Sequence, residues 1–308
     1  MSRRPLTAAA AAVAVTLVLS ACGGDPEPSP SSAPPTSAAS TGSATPTPSQ
    51  TPAEEEALYV ALGDSLAAGY QPGGTELRDS AYPALATSRL AGDGADLRLE
   101  NLGCSGETTT SLLEGGKCDF DEGSQIAQAE SVLAAAKGNV GLVTIDIGGN
   151  DLLRCVRLQT GIDTACVDQG VATVRKNLPT ILDRLTTAAG DDVPVLVIGY
   201  YNPWVAAKAL DQPIKGVDAA AKAYTRLSTT IEKAAEGAGA TFVGLDEAFA
   251  TNDTTPTTIG GRSVPENAAR VCTLTNLCTA RDIHFSDEGA ATVARVVAEA
   301  AGKAGVTG

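Results

Sequence analysis

Leu58-Tyr59-Val60-Ala61-Leu62-Gly63-Asp64-Ser65-Leu66 is the stretch from which the rest of the chain is read. A short apolar run suits a strand buried on both faces, and the glycine that ends it marks a turn. A serine at such a strand-to-helix turn can project its hydroxyl into the cleft beyond the strand. The same punctuation recurs downstream. Ala95 to Leu102 alternates charged and apolar residues and reads as a more exposed strand. Val140 to Ile147 ends at Gly148-Gly149, Val193 to Ile198 ends at Gly199, and Thr241-Phe242-Val243 precedes Gly244. Helical apolar spacing marks Ser124 to Lys137, Val171 to Ala189, Val217 to Ala238 and Ala290 to Ala304. The alternation predicts an α/β fold: a parallel, five-stranded, flavodoxin-like sheet in a three-layer sandwich.

Composition narrows the function. The chain has 308 residues, a formal net charge of -14 and one histidine, His284. Nucleic acid is excluded as a partner, because phosphate binding needs clustered Lys and Arg. Histidine-rich zinc and copper sites are excluded as well. If an imidazole does chemistry here, it is that of His284.

The front of the chain reads as an address. Arg3 and Arg4 precede an apolar run from Ala8 to Ala21, which is too short to span a bilayer comfortably. Leu19-Ser20-Ala21-Cys22 resembles the bacterial lipobox, in which the cysteine becomes the acylated N-terminus. The expectation is a signal peptide over 1–21, a lipidated Cys22 opening a Pro/Ser/Thr-rich flexible tether over 22–56, and a globular domain over 57–308. The protein is then exported and held at the outer face of the cytoplasmic membrane by its lipid. Nothing in the sequence suggests an obligate interface, so a monomer is expected.

Besides Cys22 the chain has Cys104, Cys118, Cys155, Cys166, Cys272 and Cys278. In an exported protein an even set implies disulfides. Six cysteines allow fifteen connectivities. Pairing of sequence neighbours, Cys104 with Cys118, Cys155 with Cys166 and Cys272 with Cys278, is the simplest of them. The absence of any CxxC speaks against a metal cluster and a thiol-redox role.

The residues just after each strand carry the chemistry. Gly63-Asp64-Ser65-Leu66 comes after the first, Gly103-Cys104-Ser105-Gly106-Glu107-Thr108 after the second and Gly148-Gly149-Asn150-Asp151 after the third; Asp282-Ile283-His284 precedes the last helix. A serine is a poor nucleophile without a base, and His284 is the available imidazole. Acyl transfer also needs donors for a developing oxyanion. The N–H groups of Ser65 and Gly106 and the side-chain amide of Asn150 are the candidates. Asp64 and Asp151 are expected to hydrogen-bond loops and helix starts nearby. Gly199-Tyr200-Tyr201-Asn202-Pro203-Trp204 is a local aromatic cluster that either lines a substrate cleft or covers the sheet edge. Phe285 either walls an acyl pocket or packs in the core.

In these four blocks the sequence resembles the GDSL, or SGNH, family of esterases and lipases, and is similar to secreted actinobacterial members with three local disulfides. The family's Ser, Gly, Asn and His fall on Ser65, Gly106, Asn150 and His284. The resemblance implies a parallel sheet between helices and hydrolysis of a carboxylic ester, with an acyl lipid, acylated glycan or small ester as substrate and no metal or organic cofactor. It is not the nucleophile elbow G-x-S-x-G of the α/β-hydrolases, since Ala67 stands at the second Gly position. The chain departs from the family at one point. The triad Asp usually lies three residues before the His, where this chain has Arg281. Two readings stay open: Asp282 reaches the imidazole through a different loop geometry, which is favoured because a carboxylate best stabilises an imidazolium, or a main-chain carbonyl near Ala280 or Arg281 takes its place. The competing function is a non-catalytic envelope lipoprotein that binds glycan or lipid on the same fold.

Overall fold

A computed structural model describes residues 56–157, 161–209 and 215–307. The expected signal segment, Cys22 and all of the expected tether except Glu56 lie outside the described residues.

The opening apolar run forms β1 (Ala57–Gly63), whose side chains alternate between two cores. Leu58, Val60 and Leu62 point to one face, Tyr59 and Ala61 to the other. The chain then runs through α1 (Ser65–Ala68), α2 (Tyr82–Gly92), β2 (Leu97–Asn101), α3 (Thr109–Glu114), α4 (Gln125–Ala135) and β3 (Val140–Asp146). It continues through α5 (Gly149–Leu153), α6 (Thr164–Ala189), β4 (Val195–Ile198), α7 (Trp204–Ala209), α8 (Val217–Gly237) and β5 (Thr241–Val243). It closes with α9 (Glu266–Leu274), α10 (Leu277–Ala280) and α11 (Asp287–Lys303).

The five strands form one parallel sheet in the order β2-β1-β3-β4-β5. This is the expected flavodoxin-like order. Helices α4, α6 and α8 cover the face with Leu58, Val60, Val143, Ile145 and Val197. Helices α2 and α11, with α9 beside them, cover the face with Tyr59, Ala61, Leu142 and Leu196. Ile126 and Leu133 of α4 are fully buried against the sheet, and each contributes about 2 kcal/mol by leaving water. β2 is an edge strand with partly exposed Leu99, Glu100 and Asn101, which accounts for its alternating sequence.

The helix boundaries differ from expectation in one informative place. Helix α6 begins at Thr164 rather than Val171, because Asp163 caps it by accepting the Cys166 N–H at 3.1 Å. Its first turns bury only Val167 and Gly170, so apolar spacing alone does not mark them. The strand order reverses at β1, so a crevice opens beyond the carboxyl ends of β1 and β3. Gly63 ends β1 there at φ 141°, and a Cβ on it would lie 2.6 Å from the Asp146 carboxyl carbon. Only glycine fits that position.

Candidate active site

Ser65 is the first residue of α1, a helix of one turn. Asp64 caps the helix, accepting the Leu66 N–H at 3.0 Å. The turn is held from below as well. Gln125 accepts from the Gly63 N–H at 3.0 Å and donates to the carbonyls of Gly63 at 2.9 Å and Leu102 at 3.0 Å. One fully buried side chain thus locks the ends of β1 and β2 to α4. Gln125 lies inside an expected helix, and nothing local marks it as different from a surface glutamine.

The loop before α11 brings His284 to Ser65. His284 Nε2 lies 2.8 Å from Ser65 Oγ, and His284 Nδ1 lies 2.6 Å from Asp282 Oδ1. Asp282 Oδ1 also accepts the His284 backbone N–H at 2.8 Å. The two-residue spacing works because Arg281 adopts a left-handed conformation at φ 58°, ending α10 and turning Asp282 back toward the histidine. His284 and Asp282 side chains are 15% and 20% exposed. The Tyr70 ring packs on the imidazole at 4.4 Å between centroids. Asn276 donates to the Phe285 carbonyl at 3.1 Å, and the Tyr201 hydroxyl donates to the Ile283 carbonyl. Both fix the loop that carries His284. Phe285 is 4% exposed and packs with Tyr201 and Phe249 at 6.0 and 6.2 Å between ring centroids, as a core residue behind His284.

Asn150 lines the same crevice as Ser65 and His284. Gly106 has φ 81°, and a Cβ on it would meet the Lys117 side chain at 2.6 Å. The backbone N–H groups of Ser65 and Gly106 have no acceptor among the described residues. Asn150 Nδ2 donates to the Glu107 carbonyl at 3.0 Å and to Asp64 Oδ2 at 3.4 Å. The loops carrying Gly106 and Asn150 are tied by Asp151, which accepts from Thr109 N at 2.9 Å and from Thr109 Oγ1 at 2.8 Å.

The disulfides join Cys104 to Cys118, Cys155 to Cys166 and Cys272 to Cys278. Each holds a loop near the crevice. The first closes the loop that carries Gly106, the second ties α6 to the segment after α5, and the third joins α9 to α10, which leads to His284.

An apolar pocket opens beside Ser65 and His284. It encloses about 680 Å³ of atom-free space, part of it open to solvent. Leu152 and Val156 after the Asn150 block, Ile162 and Val167 near the second disulfide, and Ala220 and Leu227 of α8 line it. Tyr200, Tyr201, Pro203 and Trp204 line it as well, so the aromatic cluster faces a cleft and not the sheet edge. Cys155, Ile162, Val167, Ala220 and Ala223 form a small core behind this wall.

Carboxyl groups gather under the site. Asp64 and Asp146 are 2% and 0% exposed. Burial raises the pKa of both, that of Asp146 well above its ordinary value. Burial also raises Glu107 and Asp151. The Tyr200 hydroxyl, pushed far up by burial and by Asp64, stays protonated and donates to Asp64 Oδ2 at 2.7 Å. No sequence signal marks Asp146, because as the last residue of an apolar strand it looks like a strand end and nothing more.

A doubly covered parallel sheet with these polar groups at its switch point defines a three-layer α/β sandwich of the hydrolase type. The GDSL-like Lipase/Acylhydrolase family model matches residues 61–292, and the chain belongs to that family. It is an esterase/lipase-type hydrolase. Among solved structures, a lipase from a goat rumen metagenome has 17% sequence identity and a TM-score of 0.52, with 80% of this chain and 97% of that chain covered. The extracellular lipase of Streptomyces rimosus has 21% identity and a TM-score of 0.50, with 79% and 99% covered. At these identities the likeness is one of fold. No curated protein sequence matches the chain.

Proposed function

We propose that the protein is a serine esterase that hydrolyses carboxylic esters through Ser65, His284 and Asp282. The observation that carries this reading is the continuous contact Ser65 Oγ to His284 Nε2 to Asp282, at 2.8 and 2.6 Å. His284 Nδ1–H donates to Asp282, which leaves Nε2 with its lone pair toward Ser65. Ser65 attacks the acyl carbon as His284 takes its proton. Charge then develops on the former carbonyl oxygen, and the Ser65 and Gly106 N–H groups with Asn150 Nδ2 stabilise it. Collapse of the tetrahedral intermediate releases the alcohol, which receives the proton from His284. Water, activated by the same imidazole, attacks the acyl-serine and releases the acid. His284 then returns the water proton to Ser65 Oγ as the acid leaves, so the full cycle restores the enzyme's starting protonation, and no metal or cofactor enters.

The apolar pocket beside Ser65 supports an acyl group of several carbons as its occupant. A binding-only role on this fold has no feature in its favour, because an idle site needs neither an oriented imidazole nor free N–H donors. The N-terminal residues extend the proposal. A signal over 1–21, acylation of Cys22 and a Pro/Ser/Thr-rich link over 22–56 would hold a catalytic domain over 57–308, acting as a monomer, at the outer face of the cytoplasmic membrane. Incorporation of labelled palmitate that is lost in Cys22→Ala tests the anchor.

The test of the activity uses p-nitrophenyl esters of graded acyl length with wild type and Ser65→Ala. Turnover that disappears in the variant is expected. Equal turnover by a folded Ser65→Ala sinks the mechanism, and no turnover by wild type sinks the esterase reading.

A further inference from the structure

Asp64 and Asp146 are buried neighbours directly beneath the Ser65 turn, where one carboxylate oxygen of Asp146, Oδ2, accepts the Asp64 N–H at 3.1 Å. Two buried like charges this close cannot both persist. No lysine or arginine pairs with either group among the described residues. We propose that Asp146 holds one proton on behalf of the pair, that Asp64 is therefore the single anion under the oxyanion donors, and that Asp146 is a positioning residue of the hydrolytic site.

The partners decide which carboxyl carries the proton. Asp64 receives three donors: the Leu66 N–H at 3.0 Å, the Tyr200 hydroxyl at 2.7 Å and Asn150 Nδ2 at 3.4 Å. Asp146 receives two, the Tyr82 hydroxyl at 2.7 Å and the Asp64 N–H at 3.1 Å, and has capacity left to donate. Three donors suit a carboxylate, and two suit a neutral acid whose O–H points at its neighbour.

The proton matters because Asp64 is bonded to machinery. Asn150 is the amide assigned to the oxyanion, and its other acceptor is the Glu107 carbonyl. Loss of the Asp146 proton would place a second negative charge next to Asp64 and oppose the developing oxyanion. The other titratable groups facing the pair do not supply a compensating charge at alkaline pH. Tyr59 of β1, Tyr82 of α2 and Tyr200 after β4 are all held protonated by burial. Glu107, ahead of α3, adds negative charge toward Asp64. The single-proton state is thus the active one, and activity falls as pH rises through its loss.

This inference rests on the esterase reading, so its test has one arm that does not need turnover. In the first arm, kcat/KM for p-nitrophenyl butyrate is measured from acid to alkaline pH for wild type and Asp146→Asn. The amide at 146 donates to Asp64 permanently, and the Asp64 N–H keeps a partner in the Asp146 backbone carbonyl at 3.1 Å. Wild type is expected to lose activity on the alkaline side, and Asp146→Asn to hold it for about one pH unit further. Superimposable profiles overturn the proposal. In the second arm, infrared spectra at neutral pH are compared in H2O and D2O. A protonated-carboxyl band, sensitive to deuterium, is expected in wild type and missing in Asp146→Asn; its absence from wild type overturns the proposal whether or not the ester is cleaved. Should Asp146→Asn not fold, carboxyl carbon NMR on wild type reads the same proton. One aspartate resonance that stays at its protonated position at neutral pH is expected, and ordinary ionisation of both overturns the idea.

Discussion

Asp282 Oδ1 accepts two N–H groups of the same residue, the backbone N–H of His284 at 2.8 Å and its ring Nδ1–H at 2.6 Å. The carboxylate therefore sets both the loop and the imidazole tautomer, from a position two residues away. The left-handed Arg281 makes this possible, and it removes the need for an aspartate one residue earlier. Asp282→Asn can present an N–H to the ring and favour the wrong tautomer. A fall in kcat of roughly 10²–10⁴-fold is expected. Steady-state kinetics with folding checked by circular dichroism decides it, and a loss below threefold would assign the role to a main-chain carbonyl.

Asn150 tests the oxyanion site without touching the serine or the histidine. Asn150→Ala removes one donor while Asp151 still ties the adjoining loops. A drop of about 10²–10³-fold in kcat with little change in KM is expected. A change confined to KM would mean that Asn150 binds the ground state and not the transition state.

The apolar pocket sets the acyl profile. Each methylene buried contributes about 0.8 kcal/mol, or about fourfold in kcat/KM. The chain-length series should rise by that increment until the pocket is filled. Ala220 lies on its wall at 4% exposure. Ala220→Phe should depress turnover of the longer esters at least tenfold while p-nitrophenyl acetate is hydrolysed nearly as before. A uniform loss across the series would show that the acyl chain lies elsewhere.

The buried carboxyl pair also affects stability, and the sign follows from the direction of the shift. Burial raises Asp146 in the folded state above its unfolded value. Its contribution is fully favourable below the unfolded carboxyl range, near pH 4, and is lost as pH rises through the folded value. In Asp146→Asn nothing titrates at that position. The variant should therefore gain on wild type by about 1.4 kcal/mol per pH unit above roughly pH 4, until the folded group itself ionises. Urea unfolding at a series of pH values measures this. A stability difference that does not change with pH contradicts it.

Much of this is legible in the sequence, for a local reason. Strand runs ended by glycine mark the sheet, and the polar residues just after them mark the crevice, because both signals sit within a few residues of each other. Ser65, Gly106 and Asn150 stand out this way, and His284 as the single histidine before the last helix. Gln125 and Asp146 do not, nor does the bond from Tyr200 to Asp64, since these arise where α4, β3 and the segment after β4 converge on the Gly63–Ser65 turn. Sequence spacing carries no record of that convergence. The start of α6 is hidden for a different reason: its cap Asp163 precedes turns that are mostly exposed to solvent.

Activation of Ser65 by His284 is the step on which the esterase reading stands. Incubation of the folded domain with a fluorophosphonate, followed by intact-mass and peptide mapping, probes that step without reference to any substrate. One adduct is expected, on Ser65, absent in Ser65→Ala and formed at least a hundredfold more slowly in His284→Ala. An adduct on another residue, or none on a protein that hydrolyses esters, would contradict it.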